Sequence, residues 1–207
     1  MDPLAAVLAI AGAITIGAIS PGPSFLMVAR TAIAASRADG LAAALGMGVG
    51  GVVFACMALA GLHAVLIAVP ALYVVLKIAG GAYLVFIGWM IWRGARQPVV
   101  VPEQAITPST VWRSFWLGLA TQTSNPKAAV VYASVFVSLL PPEIPLWVTL
   151  VLPLVIFAIE AGWYTIVALV LSAPSPRSAY LRWKAWIDRA AGAVMAALGL
   201  RLMLAAR

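Results

Sequence analysis

Six long apolar stretches, divided by short polar or turn-forming segments, set the strongest limit on how this chain can fold. They cover approximately residues 3–29, 40–62, 70–92, 111–140, 146–171 and 185–206. A helix that crosses the hydrocarbon core of a bilayer needs ~20 mostly apolar residues, and its backbone polar groups must all be bonded within the protein. The stretches therefore predict an all-α membrane protein with six transmembrane helices, in a single membrane domain over residues 1–207.

The composition favours lipid over water as the solvent. Of the 207 residues, 64% are hydrophobic and 9% are charged, whereas about 25% are charged in soluble domains. Cys56 is the only cysteine and His63 the only histidine, so no intrachain disulfide and no zinc or iron site of the usual kind can form. We expect no metal and no cofactor. Because the sequence also lacks a Ser/His/Asp arrangement, we expect no enzymatic activity.

The positions of Lys and Arg predict the orientation. The first, third and fifth connections, with the stretch ends beside them, hold nine of them: Arg30, Arg37, Arg93, Arg96, Arg113, Arg177, Arg182, Lys184 and Arg189. The second and fourth connections hold none, and the tails contribute Arg201 and Arg207. Cytoplasmic loops carry the excess of basic residues, so both termini are predicted on the periplasmic side. The net charge of +7 is spread between apolar runs, which argues for lipid and against nucleic acid as a partner.

Two of the stretches are interrupted by proline. Residues 4–35 form a 32-residue run, which would be about 48 Å long as one helix, against a hydrocarbon core of ~30 Å. The motif Ser20-Pro21-Gly22-Pro23 lies in its middle, and prolines remove donors and clash with the preceding turn. Ser124-Asn125-Pro126-Lys127 interrupts the fourth stretch in the same way. We therefore predict that the first and fourth transmembrane helices are broken.

The two interruptions indicate an internal repeat. Pro23 and Pro126 are 103 residues apart, and the same shift lays the second stretch over the fifth. Each half, approximately residues 1–100 and 104–207, then holds three helices, so the second copy is inverted in the membrane. Interrupted helices at matching positions of two inverted halves point to the binding site of a transporter. The alternative is coincidental kinks, since proline is common in membrane helices.

The order and spacing of several motifs carry a family resemblance. The Ser20-Pro21-Gly22-Pro23 break precedes Asp39-Gly40 at the start of a glycine-rich stretch. There follow Leu76-Lys77-Ile78-Ala79-Gly80-Gly81-Ala82-Tyr83-Leu84, Gly88, Trp92-Arg93, Asn125-Pro126-Lys127-Ala128, Glu160, and Arg189 with Gly192. Over nearly its whole length the chain resembles the LysE/RhtB family of bacterial amino-acid exporters.

That resemblance implies six spans in the bacterial inner membrane and export of amino acids from the cytoplasm, coupled to the proton-motive force. The stretch Gln122-Thr123-Ser124 is more polar than in many relatives, and Arg201 stands where an apolar residue is expected. Either departure can alter the substrate, which does not follow from the resemblance. Glycine-rich helix faces also permit a homodimer.

Lys77, Lys127 and Glu160 are ionisable residues that lie several residues inside the apolar stretches. Such groups are costly in a membrane and are candidate functional residues by default. Glu160 is predicted either to titrate or bind a substrate ammonium group, or to pair with Lys127 or Lys77 and fix helix positions. Lys77 is near enough to the stretch end for its ammonium group to reach the interface. Asp39 is interpreted as a helix N-cap, with a role in gating as the alternative.

The proline breaks give the sharpest hypothesis about the binding site. At the break formed by Pro21, Gly22 and Pro23, a helix that restarts after Pro23 presents unpaired amides and a positive dipole end. That end can receive an α-carboxylate, with a hydroxyl added by Ser24. The break at Asn125, with Pro126 and Lys127, offers an amide side chain and freed carbonyls to an ammonium group. We therefore expect a zwitterionic amino acid between two opposed helix ends. The alternatives are export of a different small solute and a non-transporting membrane scaffold subunit.

Overall fold

A computed structural model describes residues 2–20, 22–68, 70–97, 110–141, 143–171 and 174–204. Within these ranges the chain forms helices and no strands, which confirms the all-α prediction. The helices are α1 (Pro3–Ile19), α2 (Pro23–Ala34), α3 (Arg37–Ala68), α4 (Pro70–Gly94), α5 (Val111–Thr123), α6 (Pro126–Leu139), α7 (Leu146–Leu171) and α8 (Pro174–Leu204).

Local sequence explains where several helices begin. The Asp2 carboxylate accepts from the amide of Ala5 ahead of α1, and the Thr110 hydroxyl accepts from the amide of Arg113 ahead of α5. Side-chain oxygens at this position satisfy amides that have no partner within the helix. Proline is the first residue of α1, α2, α4, α6 and α8, where its missing N–H costs nothing and its fixed φ suits a helix.

Two helices are longer than predicted. α3 begins at Arg37 and continues to Ala68, so most of the connection expected at residues 63–69 is helical. α8 begins at Pro174, so most of the connection expected at residues 172–184 is helical as well. Residues 63–68 contain no glycine or proline to stop α3, and the prolines of the second segment fall in the first turn of α8.

Two helical segments of the described chain are long and apolar enough to cross a membrane, Arg37–Gly61 and Leu146–Val170. Pro3–Ile19 and Pro23–Ala34 qualify as a third if the bent pair is counted as one span. Ile78–Gly94 and Pro126–Leu139 are apolar but shorter. These assignments rest on helix length and composition.

The distribution of side chains is that of a protein embedded in lipid. Large apolar side chains such as Leu8, Met57 and Leu154 are more than 60% exposed. Conversely, charged and amide side chains such as Gln122, Glu160 and Asp188 are less than 5% exposed. A water-soluble protein rarely presents extensive apolar surface or buries isolated charges, whereas a membrane protein does both.

α3 is the central helix and packs along α5 and α7, while α4 packs along α8. Glycines allow the closest approaches. A Cβ added at Gly46 would collide with the backbone of Phe115, and one at Gly50 would lie 2.6 Å from the Cβ of Gln122. From Gly46 to Gly50 on α3, the contacted residue on α5 changes from Phe115 to Gln122. Both numbers increase, so α3 and α5 run parallel. The glycine-rich face of α3 is therefore used within the chain, as small residues are in membrane helix packing.

Two apolar clusters form the interior. The larger cluster gathers side chains from α1, α3, α4, α6, α7 and α8, including Ile14, Phe136 and Ile156. The smaller one joins α2, the first half of α3 and the second half of α7, around Phe25 and Tyr164. A layer of buried polar side chains lies between them, where the ends of α1 and α5 meet the starts of α2 and α6.

Candidate functional site

The starts of α2 and α6 are joined by a buried chain of hydrogen bonds. The Asn125 amide nitrogen Nδ2 donates to the Ser24 hydroxyl at 2.9 Å. That hydroxyl donates in turn to the Gln122 carbonyl Oε1 at 2.8 Å. All three side chains are less than 8% exposed. Two segments about 100 residues apart in sequence therefore meet through direct polar contacts.

Asn125 also caps α6. Its carbonyl oxygen Oδ1 accepts from the amides of Lys127 and Ala128, at 3.0 and 3.4 Å. At the start of α2 the corresponding residue is Gly22, and no side chain caps that helix. The carbonyl oxygen of the Asn125 side chain is therefore engaged by its own helix, and the ammonium site expected at this break from the amide side chain and freed carbonyls stays a prediction.

Lys127 links α6 to the end of α1. Its ammonium group Nζ donates to the backbone carbonyls of Ser20 at 3.0 Å and Gly17 at 3.4 Å. These carbonyls belong to the last turn of α1, where a helix carries partial negative charge. Lys127 and Glu160 are both described, and no ion pair joins them. The purely structural Lys127–Glu160 pair considered from the sequence is therefore not formed.

Glu160 is a buried acid with one free oxygen. It is 3% exposed, and the Tyr132 hydroxyl donates to its Oε1 at 2.9 Å. Among the described residues, Oε2 has no hydrogen-bond partner. A Cβ added at Gly51 would lie 2.9 Å from the Tyr132 hydroxyl and 3.0 Å from Glu160 Cγ. The glycine thus leaves just enough room for the carboxylate and phenol to meet.

These groups surround one cavity, called here the break cavity. Its polar lining comprises Ser24, Gln122, Asn125, Lys127, Tyr132 and Glu160, with Tyr164 beside them. Its volume is about 30 Å³. A space of this size accommodates a water molecule or two, which is too little for an amino acid. Binding of a solute there requires the surrounding helix ends to move.

The structure brings together most of the residues chosen from sequence. Gly22, Ser24, Asn125, Lys127 and Glu160 line the break cavity. Pro23 and Pro126 are the first residues of α2 and α6 and line a second, neighbouring cavity. Pro21 lies outside the described residues, as does the side chain of Lys77, whose backbone belongs to α4.

Asp39 lies away from this cavity, and its interpretation as an N-cap is wrong. α3 begins two residues earlier, and the Ser36 hydroxyl accepts from the amide of Asp39 at 3.1 Å, so Ser36 is the cap. The Asp39 carboxylate accepts from the hydroxyls of Ser36 at 2.5 Å and of Ser114, in α5, at 2.8 Å. Asp39 therefore ties the start of α3 to α5.

Three residues of the site, Gln122, Tyr132 and Tyr164, were not predicted from the sequence to be functional. Gln122 stood out only as an unusually polar residue before the break. Tyr164 is four residues after Glu160 and so shares its helix face, a signal that the sequence contained. For Tyr132 no such signal exists, because its role depends on how α6 packs against α7.

The fold and the site together define an all-helical membrane protein with a buried polar cavity at helix interruptions, an organisation typical of transporters. The LysE type translocator family matches residues 15–206 of this chain. The chain therefore belongs to the LysE type translocator family, which confirms the resemblance seen in its motifs; it is a translocator and not an enzyme.

Several relatives are similar to this chain over most of its length, and others over about half of it. A threonine efflux protein of Escherichia coli K12 is 33% identical over 188 residues, which is 90% of this chain and 91% of the relative. A threonine efflux protein of Salmonella typhi is 34% identical over the same length. A leucine efflux protein of Enterobacter sp. strain 638 is 32% identical over 120 residues, 56% of this chain and 55% of the relative. No solved structure matches the chain.

Proposed function

We propose that this protein exports a small neutral amino acid, or a derivative of one, from the cytoplasm across the bacterial inner membrane, driven by the proton-motive force. The observation that carries the proposal is the break cavity, in which one basic side chain, Lys127, and one acidic side chain, Glu160, line the same space as the residues at the starts of α2 and α6. A zwitterion needs both charges. Relatives named for threonine and leucine efflux support an amino acid as the substrate.

The α4–α8 pair supports six spans arranged as two inverted repeats, approximately 1–100 and 104–207, with the first and fourth spans broken. A Cβ added at Gly81 would lie 2.7 Å from the carbonyl of Gly199, and one at Gly88 would lie 2.5 Å from the carbonyl of Gly192. A shift of 111 residues places Gly81 on Gly192 and Gly88 on Gly199. Each of the two contacts then maps onto the other, as a two-fold relation between α4 and α8 requires. The shift exceeds the 103 residues between the prolines, which corresponds to longer connections in the second half.

Aromatic and basic residues support the orientation with both termini in the periplasm. The Arg93 guanidinium lies 5.2 Å from the ring of Trp89 on α4. On α8, the Arg189 guanidinium lies 5.8 Å from the ring of Trp186. Such pairs are typical of the membrane interface, and Arg93 and Arg189 are among the basic residues that the positive-inside rule assigns to the cytoplasmic side.

In the break cavity the substrate carboxylate binds Lys127 and the uncapped start of α2, where the helix dipole is positive. The substrate ammonium group binds Glu160 Oε2, the buried oxygen without a partner in the described chain. One hydrogen bond of the Ser24–Gln122–Asn125 chain can be replaced by a hydrogen bond to a hydroxyl group on the side chain of the substrate. Threonine is therefore the first substrate to test.

Coupling to protons follows from the same geometry. Glu160 neutralises its buried charge by binding either the substrate ammonium group or a proton, because an unpaired carboxylate in a membrane interior is costly. Release of substrate to the periplasm is followed by protonation from that side and deprotonation to the cytoplasm. Each cycle then exchanges one substrate for one proton.

Transport into inverted membrane vesicles tests the proposal. A panel of labelled amino acids is added with and without an imposed proton gradient, and threonine is expected to accumulate only with the gradient. Glu160→Gln should abolish gradient-driven accumulation. Gly162→Ala is the matched control on the same helix, because an added Cβ meets nothing within 4 Å. Absence of transport for every amino acid would contradict the proposal and favour a different small solute.

A further inference from the structure

A second and much larger cavity opens beside the break cavity. It lies between the starts of α2 and α6 and the facing parts of α4 and α8, and its volume is about 450 Å³. That volume falls within the ~300–1,000 Å³ of small-molecule sites. We call it the vestibule. It reaches Gly94 and Gln97, at the end of α4 that the proposed orientation assigns to the cytoplasm.

Lys127 stands between the two cavities. Together with Gly22 and Asn125 it lines both of them. An acidic side chain lines each cavity together with it, Glu160 in the break cavity and Asp188 in the vestibule. A solute that passes from the vestibule to the break cavity must therefore pass the Lys127 ammonium group.

Asp188 is a second buried acid, and the family motifs did not point to it. It is 4% exposed and lines the vestibule. Its Oδ2 accepts from Lys184 Nζ at 2.7 Å, and the same ammonium group donates to the carbonyl of Ala95 at 3.3 Å. Among the described residues, Asp188 Oδ1 is buried and has no partner. Lys184 thus holds the carboxylate by one oxygen and leaves the other unsatisfied.

We infer that the vestibule is a first binding site for the exported amino acid, in which Asp188 Oδ1 accepts from the substrate ammonium group and Lys127 binds its carboxylate. This inference rests on the proposed function. The substrate carboxylate replaces the Ser20 and Gly17 carbonyls as the partner of Lys127, which frees the last turn of α1. The substrate then moves to the break cavity, where Glu160 takes over the ammonium group. Lys127 is shared by both sites.

Substrate protection of a single thiol in the reconstituted full-length protein tests the inference. Gly94→Cys, in a Cys56→Ala background, puts a thiol in the vestibule, where an added Cβ meets only Gln97 Oε1 at 3.9 Å. L-threonine should slow its reaction with a maleimide. The unmodified chain is the matched control, because Cys56 lies in a different cavity with Ile144 and Thr149 and should show no protection.

The role of Asp188 is measured by the threonine concentration that gives half protection, which does not depend on how much protein inserts. Asp188→Asn should raise it by at least ~10-fold, as expected for loss of a hydrogen bond to a charged group. Lys184→Met should raise it much less, because the carboxylate remains and the substrate ammonium group can take the place of the Lys184 ammonium group beside it. If the ion pair only fixes α8, the two variants should weaken protection equally, and that result would overturn the inference.

A substrate analogue identifies the group that Asp188 binds. 2,3-Dihydroxybutyrate is threonine with a hydroxyl in place of the ammonium group. It should protect the wild-type vestibule thiol at least ~10-fold less well than threonine, and Asp188→Asn should remove the difference. If vesicles accumulate threonine but threonine does not protect Gly94→Cys, the vestibule inference is wrong and the proposed function stands. If wild-type vesicles accumulate no amino acid, both are wrong.

Discussion

The two helix breaks occupy matching positions in sequence but are held in different ways. At the second break the groups are satisfied locally: Asn125 caps α6, and the hydroxyls of Thr123 and Ser124 donate to carbonyls in the last turn of α5. At the first break, no side chain caps α2, and the α1 carbonyls of Ser20 and Gly17 are satisfied by Lys127 from the other half of the chain.

The difference indicates which break can rearrange when a neighbouring helix moves or a ligand binds. A terminus capped by its own residues stays in place when its neighbours move, whereas one bonded to a distant lysine loses its partner when that lysine is attracted elsewhere. Lys127 lies at the position corresponding to Ser24, one residue after the proline. The difference between serine and lysine at these two positions thus makes the first break dependent on the second. We infer that substrate binding acts on the end of α1.

Replacement of Lys127 should give the largest effect in this comparison. Lys127→Met removes the donor to both α1 carbonyls and the proposed partner of the substrate carboxylate, so threonine accumulation in inverted vesicles should fall at least ~10-fold. Ser24→Ala at the matching position loses one neutral hydrogen bond and should reduce it less. Membrane insertion of both is checked by quantifying the purified protein. Equal losses for the two variants would contradict the asymmetry.

Replacement of Asn125 tests the local cap. Asn125→Ala removes the α6 cap and should lower the stability by ~1 kcal/mol, a fall in Tm of about 2–4 °C for a chain of this length. Thermal unfolding of the detergent-solubilised protein measures it. Asn125→Asp keeps the capping oxygen and loses only the donor to Ser24, so it should retain most of the stability. Equal losses with Asp and with Ala would show that the Ser24 contact, which both variants lack, and not the cap, dominates.

Crowding of Glu160 should have a moderate effect. A Cβ at Gly51 approaches the Tyr132 hydroxyl and Glu160 Cγ within 3.0 Å, so Gly51→Ala should displace their hydrogen bond and reduce transport several-fold, by roughly 1 kcal/mol. The measurement is the initial rate in vesicles, with Gly162→Ala as the control. An unchanged rate would mean that the Tyr132–Glu160 contact is dispensable.

The smallest effect is expected at Gly22. Its φ of −155° is extended, which any residue adopts, and an added Cβ would lie 3.6 Å from Lys127 Cδ and Nζ, an ordinary contact distance. Gly22→Ala should change transport by less than about twofold, corresponding to ~0.5 kcal/mol. A severe loss in the vesicle assay would show that the first break needs a conformation or clearance that this arrangement does not require.

Several residues of the break cavity could be predicted from the sequence, but their hydrogen-bond partners could not. Lys127 and Glu160 were chosen because ionisable groups are costly in an apolar stretch, and Ser24 and Asn125 because they follow or precede a proline. Each of these signals is local. The partners were not predictable, because Lys127 bonds to carbonyls of α1 that bear no mark in the sequence. Likewise, Asp188 lies four residues after Lys184 and beside Arg189, near the start of the sixth apolar stretch, where charged side chains are ordinary.

The sequence by itself determined the helical class, the apolar character of the helices, most helix starts and the family. Composition gives the apolar helices, proline acts on the helix start where it stands, and the family follows from the order and spacing of motifs along the chain. Only the tertiary structure decided that α2 and α6 begin at one cavity, that Glu160 meets Tyr132 and not Lys127, and that Asp188 faces a second cavity. Those facts depend on how close the helices approach, which glycines such as Gly46 and Gly51 permit but do not direct.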